Sequence, residues 1–336
     1  VIPKFNIEDI DPSLGSGVHP AFVVNGVVKK AIYVAQYSAS LEGGIPYSLP
    51  GRLPSLATYN NAVAACSALG TGFHMMTLSE LSAITLWCWK NGYLPRGNTD
   101  FGRSDLAKFE SGRRADGRRG GDQTVATTAD AFVRTGSGPI SWRHNNDVTG
   151  IADLVGDYPQ WAAGARLVNG EIQIMADNDA ANPNEGHGPS SANWRAINES
   201  DGVLMTPGLA GSLKYNASMA GTGNSTKYGS PILSTSITNR NGTFDGSSGQ
   251  GYCSGAMNAI AEAAEVDTPV IMRRLTLSVP VDGYVPIGDH VQVRNYGERM
   301  LDFGGTYSWG SLAGVFARRF MATRVSNLRF RAVYTG

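Results

Sequence analysis

The stretch that decides the fold is Gly304-Gly305-Thr306-Tyr307-Ser308-Trp309-Gly310-Ser311-Leu312-Ala313-Gly314-Val315-Phe316-Ala317-Arg318-Arg319-Phe320-Met321-Ala322-Thr323-Arg324-Val325, within a tail running from Asn295 to Tyr334. Two kinds of position alternate in it. Gly304, Gly305, Gly310, Ala313, Gly314, Val315, Phe316 and Ala317 are small or apolar, as are most of Phe330, Arg331, Ala332 and Val333. They read as a frame, because glycine lets the backbone turn and pack closely. Thr306, Tyr307, Ser308, Trp309, Leu312, Arg318, Arg319, Met321, Thr323 and Val325 are chemically mixed. These ten are the candidate contact positions, and Tyr307, Trp309, Arg318 and Arg319 among them are of the types that carry most binding energy at interfaces. Tyr296 and Asp302 are weaker candidates for the same surface. A blander reading is also open, in which the stretch is a structural turn and Trp309 is buried.

Outward from the tail, the totals set limits. The chain has 336 residues, 42% of them apolar, 17% charged and 42 of them glycine, which favours many turns and short strands. The formal net charge is zero, which argues against whole-surface binding of nucleic acid or anionic membrane. No apolar run is long enough to cross a bilayer. No signal peptide is visible, and the first residue is Val1 rather than Met. Cys66, Cys88 and Cys253 fit no zinc or redox spacing; the first two lie on apolar helical faces and read as core residues.

Residues 1–20, with three prolines, read as an extended lead-in to one domain spanning 21–336. Asn25-Gly26 predicts a tight hairpin within 21–38. Leu56, Tyr59, Val63, Cys66 and Leu69 predict a helix over about 55–69. Thr77 and Glu80 form a capping box for a second helix ending at Asn91-Gly92. Residues 93–140 read as loop, and the Arg113–Arg119 charge run as a solvated part of it. Asn169-Gly170 predicts a second hairpin turn. A loop-rich insertion is expected at about 205–255, a short helix at about 256–265 and a strand at 271–281. No 20–50-residue period repeats, which excludes solenoids and propellers.

The tail resembles the variable proteins of diversity-generating retroelements. The resemblance is carried by Glu298-Arg299, Phe303-Gly304-Gly305, Ala313 to Ala317, Ser326-Asn327 and Phe330 to Val333. The middle of the chain resembles the formylglycine-generating-enzyme branch of the C-type lectin fold, through Leu49 to Arg52, Gly72 to Thr77, Leu94 to Asn98, Gly150 to Leu154, Gln160-Trp161, Arg166 to Ile172 and Asn193 to Arg195. The resemblance implies an α+β, C-type-lectin-like fold, with two helices packed on short twisted antiparallel sheets, long loops, and paired N- and C-terminal strands. It also implies a non-enzymatic binder whose mixed positions meet a host cell-surface protein or glycan, on a virion (phage tail) or a bacterial cell surface. By the family resemblance that its residues carry, a variable ligand-binding region is expected at about 295–334. A homo-oligomer, a trimer by family analogy, is a possible assembly. No catalytic residue, metal, cofactor, nucleic acid or membrane insertion is expected. The alternatives are a bacterial surface-displayed variable binder and an oxidase of the formylglycine-generating type.

Other chemistry reads as weaker. The related oxidases need a redox-active cysteine pair, and Cys253 has no partner near it in sequence. Asp177-Asn178-Asp179 could offer oxygens to calcium, yet Asp and Asn are also common turn formers. The Glu-Pro-Asn and Trp-Asn-Asp triplets of calcium-dependent sugar binders are absent. His19, His74, His144, His187 and His290 show no mutual metal-ligand spacing.

Overall fold

The strand Gln160–Val168 is buried along all but its last residue, because it lies between two hydrophobic cores. Ala162, Ala165 and Leu167 enter one core; Trp161 and Ala163 enter the other. Strict alternation would put Ala162 and Ala165 on opposite faces. The parity switches at a bulge, where Arg166 pairs with Met300 but Trp161 pairs with Asp302, and Gly164 takes a φ of 80°. The computed structural model describes residues 1–182, 184–221, 226–241, 251–284 and 288–336.

Among the described residues this strand sits inside an eleven-stranded sheet. On one side of it the order runs Glu298–Phe303, Arg318–Ala322, His290–Val293 and Cys253–Ala256. On the other it runs Glu171–Ile174, Lys214–Ala217, Pro231–Ser234 and Ala261–Glu262, with Arg195–Ile197 and Leu204–Met205 branching off. Pairing is antiparallel except between His290–Val293 and Arg318–Ala322, and between Pro231–Ser234 and Ala261–Glu262. A second sheet has the order Ile2–Pro3, Ala31–Val34, Ala332–Tyr334, Phe73–Met75, so the C-terminal strand lies inside it.

The protein is therefore mixed α/β with few helices and several sheets. The helix Tyr59–Ser67 is shorter than the apolar spacing suggested and is capped by Thr58. Leu78–Asn91 carries the expected box: Glu80 N–H donates to Thr77 Oγ1 at 3.1 Å, and Thr77 N–H donates to Glu80 Oε2 at 3.0 Å. Gly92, at a φ of 70°, ends it. Thr77 also donates to Asn178 Oδ1 at 2.6 Å, so its hydroxyl braces two segments. Thr77→Ala should cost about 1–2 kcal/mol in chemical denaturation, and Thr77→Ser well under half of that; equal losses would show that the hydroxyl is irrelevant. Both expected Asn-Gly turns are present, with Asn25 at 49° and Asn169 at 53° in φ.

Several expectations are corrected. Residues 1–20 are no extended lead-in: Ile7–Ile10 is a short helix, and Ile7, Ile10 and Leu14 are buried against Leu86. Those three fall at helical spacing, a signal the prolines obscured. The 205–255 region supplies Lys214–Ala217, Pro231–Ser234 and the start of Cys253–Ala256 to the large sheet; residues 222–225 and 242–250 lie outside the described set. The segment expected as helix at 256–265 holds a 3-10 turn and the strand Ala261–Glu262. Strand character at 271–281 gives way to the helix Val270–Arg274, preceded by Pro269. In both places sheet and core contacts override local propensity. Among the described residues no helix is long and apolar enough to cross a membrane.

Candidate functional site

The strand Glu298–Phe303 ends on Phe303, which is fully buried, and the chain then turns through Gly304 and Gly305 at φ values of 89° and 80°. A Cβ on Gly304 would lie 2.6 Å from Leu154 O, and one on Gly305 would lie 2.6 Å from Ala313 Cβ. Only glycine satisfies both the backbone angle and the space. The chain beyond them folds over a neighbouring loop. Tyr307 N–H donates to Asp157 O at 2.9 Å, Phe101 N–H donates to Tyr307 O at 2.8 Å, and Gly310 N–H donates to Thr99 O at 2.9 Å. Ala313 to Ala317 then run buried into the strand Arg318–Ala322.

This path presents most of the mixed positions. Thr306, Tyr307 and Trp309 are half-buried, and Ser308 and Leu312 are exposed. The Tyr307 ring meets Phe101 edge-on at 5.2 Å and tilts against Phe132 at 6.3 Å. Arg319 leaves the strand on the outer face, and its guanidinium lies 5.2 Å from the centre of the Trp309 ring. That cation–π contact ties loop to strand. Met321 follows Arg319 on the same face, since strand side chains alternate. Thr323 and Val325 lie on the turn that follows the end of the strand at Ala322. That turn packs beside the helix Tyr59–Ser67: Tyr59 N–H donates to Arg324 O at 3.0 Å. Val325 is 77% exposed.

Three candidates do not reach the surface. Arg318 is 1% exposed; it donates to Val315 O at 2.8 Å and to Thr276 Oγ1 at 2.5 Å, and it pins the frame from within. Strand alternation puts it opposite Arg319, so only one of the pair can face out. Tyr296 is 2% exposed, with the Arg299 guanidinium 4.7 Å from its ring centre. Asp302 is fully buried behind Arg319. Arg319 Nε lies 3.1 Å from Asp302 Oδ1, but off the hydrogen-bond line, so the attraction is Coulombic.

Asp302 makes this face pH-dependent. Burial pushes its carboxyl up to about 7, against the pull of Arg319. Its folded value thus lies above the ordinary 3.8, so its contribution to stability grows as pH falls from about 7 towards 3.8. Over that fall Arg319 loses its counter-charge and the face gains positive charge. Carboxyl ¹³C NMR should give a midpoint for Asp302 close to 7; a midpoint in the ordinary carboxylate range would refute this.

The support beneath the loop was not visible in the sequence. Arg114, inside the charge run expected to be solvated, is 3% exposed. It pairs with Asp116 at 2.6 Å and donates to Phe101 O at 3.0 Å, which fixes the residue that holds Tyr307. Arg113, Arg118 and Arg119 are exposed, as expected for that run. Gln292 stands opposite Arg319 on the parallel neighbour strand, and His290, Gln292 and Arg294 alternate with buried Val291 and Val293. That period-two pattern was the available signal for extending the face. Phe109, on the loop beside Gly310, is 89% exposed.

The other candidate chemistry is structural. Asn178 is buried and donates to Ala21 O at 2.9 Å and to Glu80 Oε1 at 3.0 Å. Among the described residues no three His, Cys, Asp or Glu side chains are grouped to hold a metal ion. Cys66, Cys88 and Cys253 are all buried free thiols. No protein-family model matches the chain, and no curated protein matches it.

Proposed function

We propose that this protein is a non-enzymatic recognition protein with a C-type-lectin-like fold of the formylglycine-generating type. On this reading it is a phage or prophage tail protein that meets the host surface through a retroelement-diversified C-terminal region. One observation carries the reading. In the tail, every mixed position except Arg318 is at least partly exposed, while the frame positions are buried apart from half-buried Gly310 and Ala332. A rigid frame whose outward side chains can change without disturbing the core separates folding from recognition. Ala332–Tyr334 and the first strand, Ile2–Pro3, pair with opposite edges of Ala31–Val34, which brings strands from both ends of the sequence into one sheet, although the first and last strands are not themselves neighbours.

The presented chemistry suits a protein or glycan surface. Tyr307, Trp309, Arg319 and Met321 combine aromatic area, one cation and an adaptable thioether. The oxidase alternative would need a reactive thiolate. Burial pushes the Cys253 thiol up to about 12, and its Sγ–H points at Val293 O at 3.7 Å, so it is protonated at neutral pH.

The test is the DNA beside the gene. The expected result is a reverse transcriptase and a near-copy of the region encoding Asn295 to Tyr334, with mismatches at template adenines. Those mismatches should fall on the exposed codons and spare that of Arg318. Flanking DNA with no such repeat, or mismatches spread evenly over frame and mixed codons, would defeat the reading.

A further inference from the structure

We propose that the cleft beneath the recognition loop is a small-molecule site for an apolar amine, with Asp289 as the anchor for its ammonium group. The cleft has a volume of about 320 Å³ and lies between the 94–106 loop and the 310–315 segment. That is the lower end of the range for ligand pockets, enough for a bicyclic aromatic with a short side arm. Its walls are largely apolar, formed by Leu94, Pro95, Leu106, Val155, Ala313 and Val315. Leu106, at the mouth, is half exposed.

One charged group lines this apolar space from within. Asp289 is 5% exposed. Its Oδ2 accepts the Phe316 N–H at 2.5 Å, while Oδ1 accepts no hydrogen bond from any described residue. The carboxylate fits only because position 314 is glycine: a Cβ there would lie 1.7 Å from Oδ1. Buried carboxylates are costly unless their oxygens are satisfied. The cost shows in the Asp289 carboxyl itself, which burial pushes up to about 7 despite the Phe316 N–H and the nearby Arg318. An ammonium group from the cleft would complete this carboxylate, and the apolar walls would take the rest of the ligand. Arg96 at the rim is held by Glu110, 2.9 Å from its Nε, and so does not compete for Asp289.

The site is independent of the retroelement reading. From the tail it uses Gly310, Ala313, Gly314 and Val315, which are frame positions. It would persist through every change at the mixed positions above it.

The experiment uses the full chain and three matched probes: tryptamine, its neutral alcohol analogue tryptophol, and 3-ethylindole. Binding is read as saturable amide shifts of Ala313, Gly314 and Val315 in ¹H–¹⁵N NMR. Tryptamine should saturate below about 10 mM and bind at least about tenfold more tightly than tryptophol. Asp289→Asn, which can still accept the Phe316 N–H, should erase that preference. Leu106→Trp, at the exposed mouth, should block all three probes while leaving the amide spectrum elsewhere unchanged. The proposal is overturned if no probe saturates, if tryptamine and tryptophol bind alike to the unmodified protein, or if either folded variant binds tryptamine as before.

Discussion

Arg329→Ala should lower the free energy of unfolding by about 3–5 kcal/mol, the usual result of removing one partner from a buried ion pair. Arg329 and Asp157 are each about 1% exposed at the side chain, with Nη1 3.2 Å from Oδ2. The same guanidinium donates to Gly156 O at 2.7 Å and to Tyr158 O at 2.5 Å. Alanine would strand one carboxylate and two carbonyls. Lysine keeps the charge but not the planar fork, so Arg329→Lys should recover only part of the loss. Paired Asp157→Asn and Arg329→Met should recover more, because no buried charge is then left alone. Denaturant midpoints of the four proteins decide the matter; an Arg329→Ala midpoint within error of the unmodified protein would remove the pair from the account. The effect reaches the candidate site, since Asp157 O holds the Tyr307 N–H.

The second large effect concerns recognition. Trp309→Ala should weaken attachment by about 2 kcal/mol or more, or about thirtyfold, as truncating a central aromatic commonly does. Attachment would be read as retention of labelled protein on bacterial cells that retain the unmodified protein. Because Arg319 lies 5.2 Å from the Trp309 ring centre, the two residues should couple. Arg319→Ala alone should cost affinity, and the double variant should lose less than the sum of the singles. Gly305 packs under Trp309, so the melting temperature must be followed beside attachment. Full attachment by a folded Trp309→Ala protein would remove this loop from the proposed contact surface.

Helix ends and hairpin turns were legible in the sequence because their signals are local. Thr77, Glu80 and Gly92 determine one helix by satisfying its own terminal groups. Asn25 and Asn169 occupy the positive φ angles their turns demand. Strand membership was less legible. Cys253–Ala256 owes its conformation to His290–Val293, some forty residues away, and no nearby residue announces it. The tail divides the same way. Its frame was readable from residue size, whereas the fate of adjacent Arg318 and Arg319 depends on strand phase, which composition does not reveal. Buried arginines mislead most, since Arg114 and Arg329 look like surface charge until their carbonyl and carboxylate partners are seen.

The inner place of Ala332–Tyr334 in its sheet has a consequence for synthesis. The strand is flanked on both sides, by Ala31–Val34 and Phe73–Met75, so the two earlier strands have no common neighbour until it arrives. The ribosome must release this strand before that sheet can close. Reading frame is thereby linked to folding: an insertion or deletion whose length is not a multiple of three bases, anywhere in the codons before Ala332, replaces the closing strand. A frame-shifted copy would fail as a folded protein before it could act as a wrong binder. A chain stopped after Arg331 should accordingly appear in the insoluble fraction, and recovery of that chain as a folded, soluble protein would break the link.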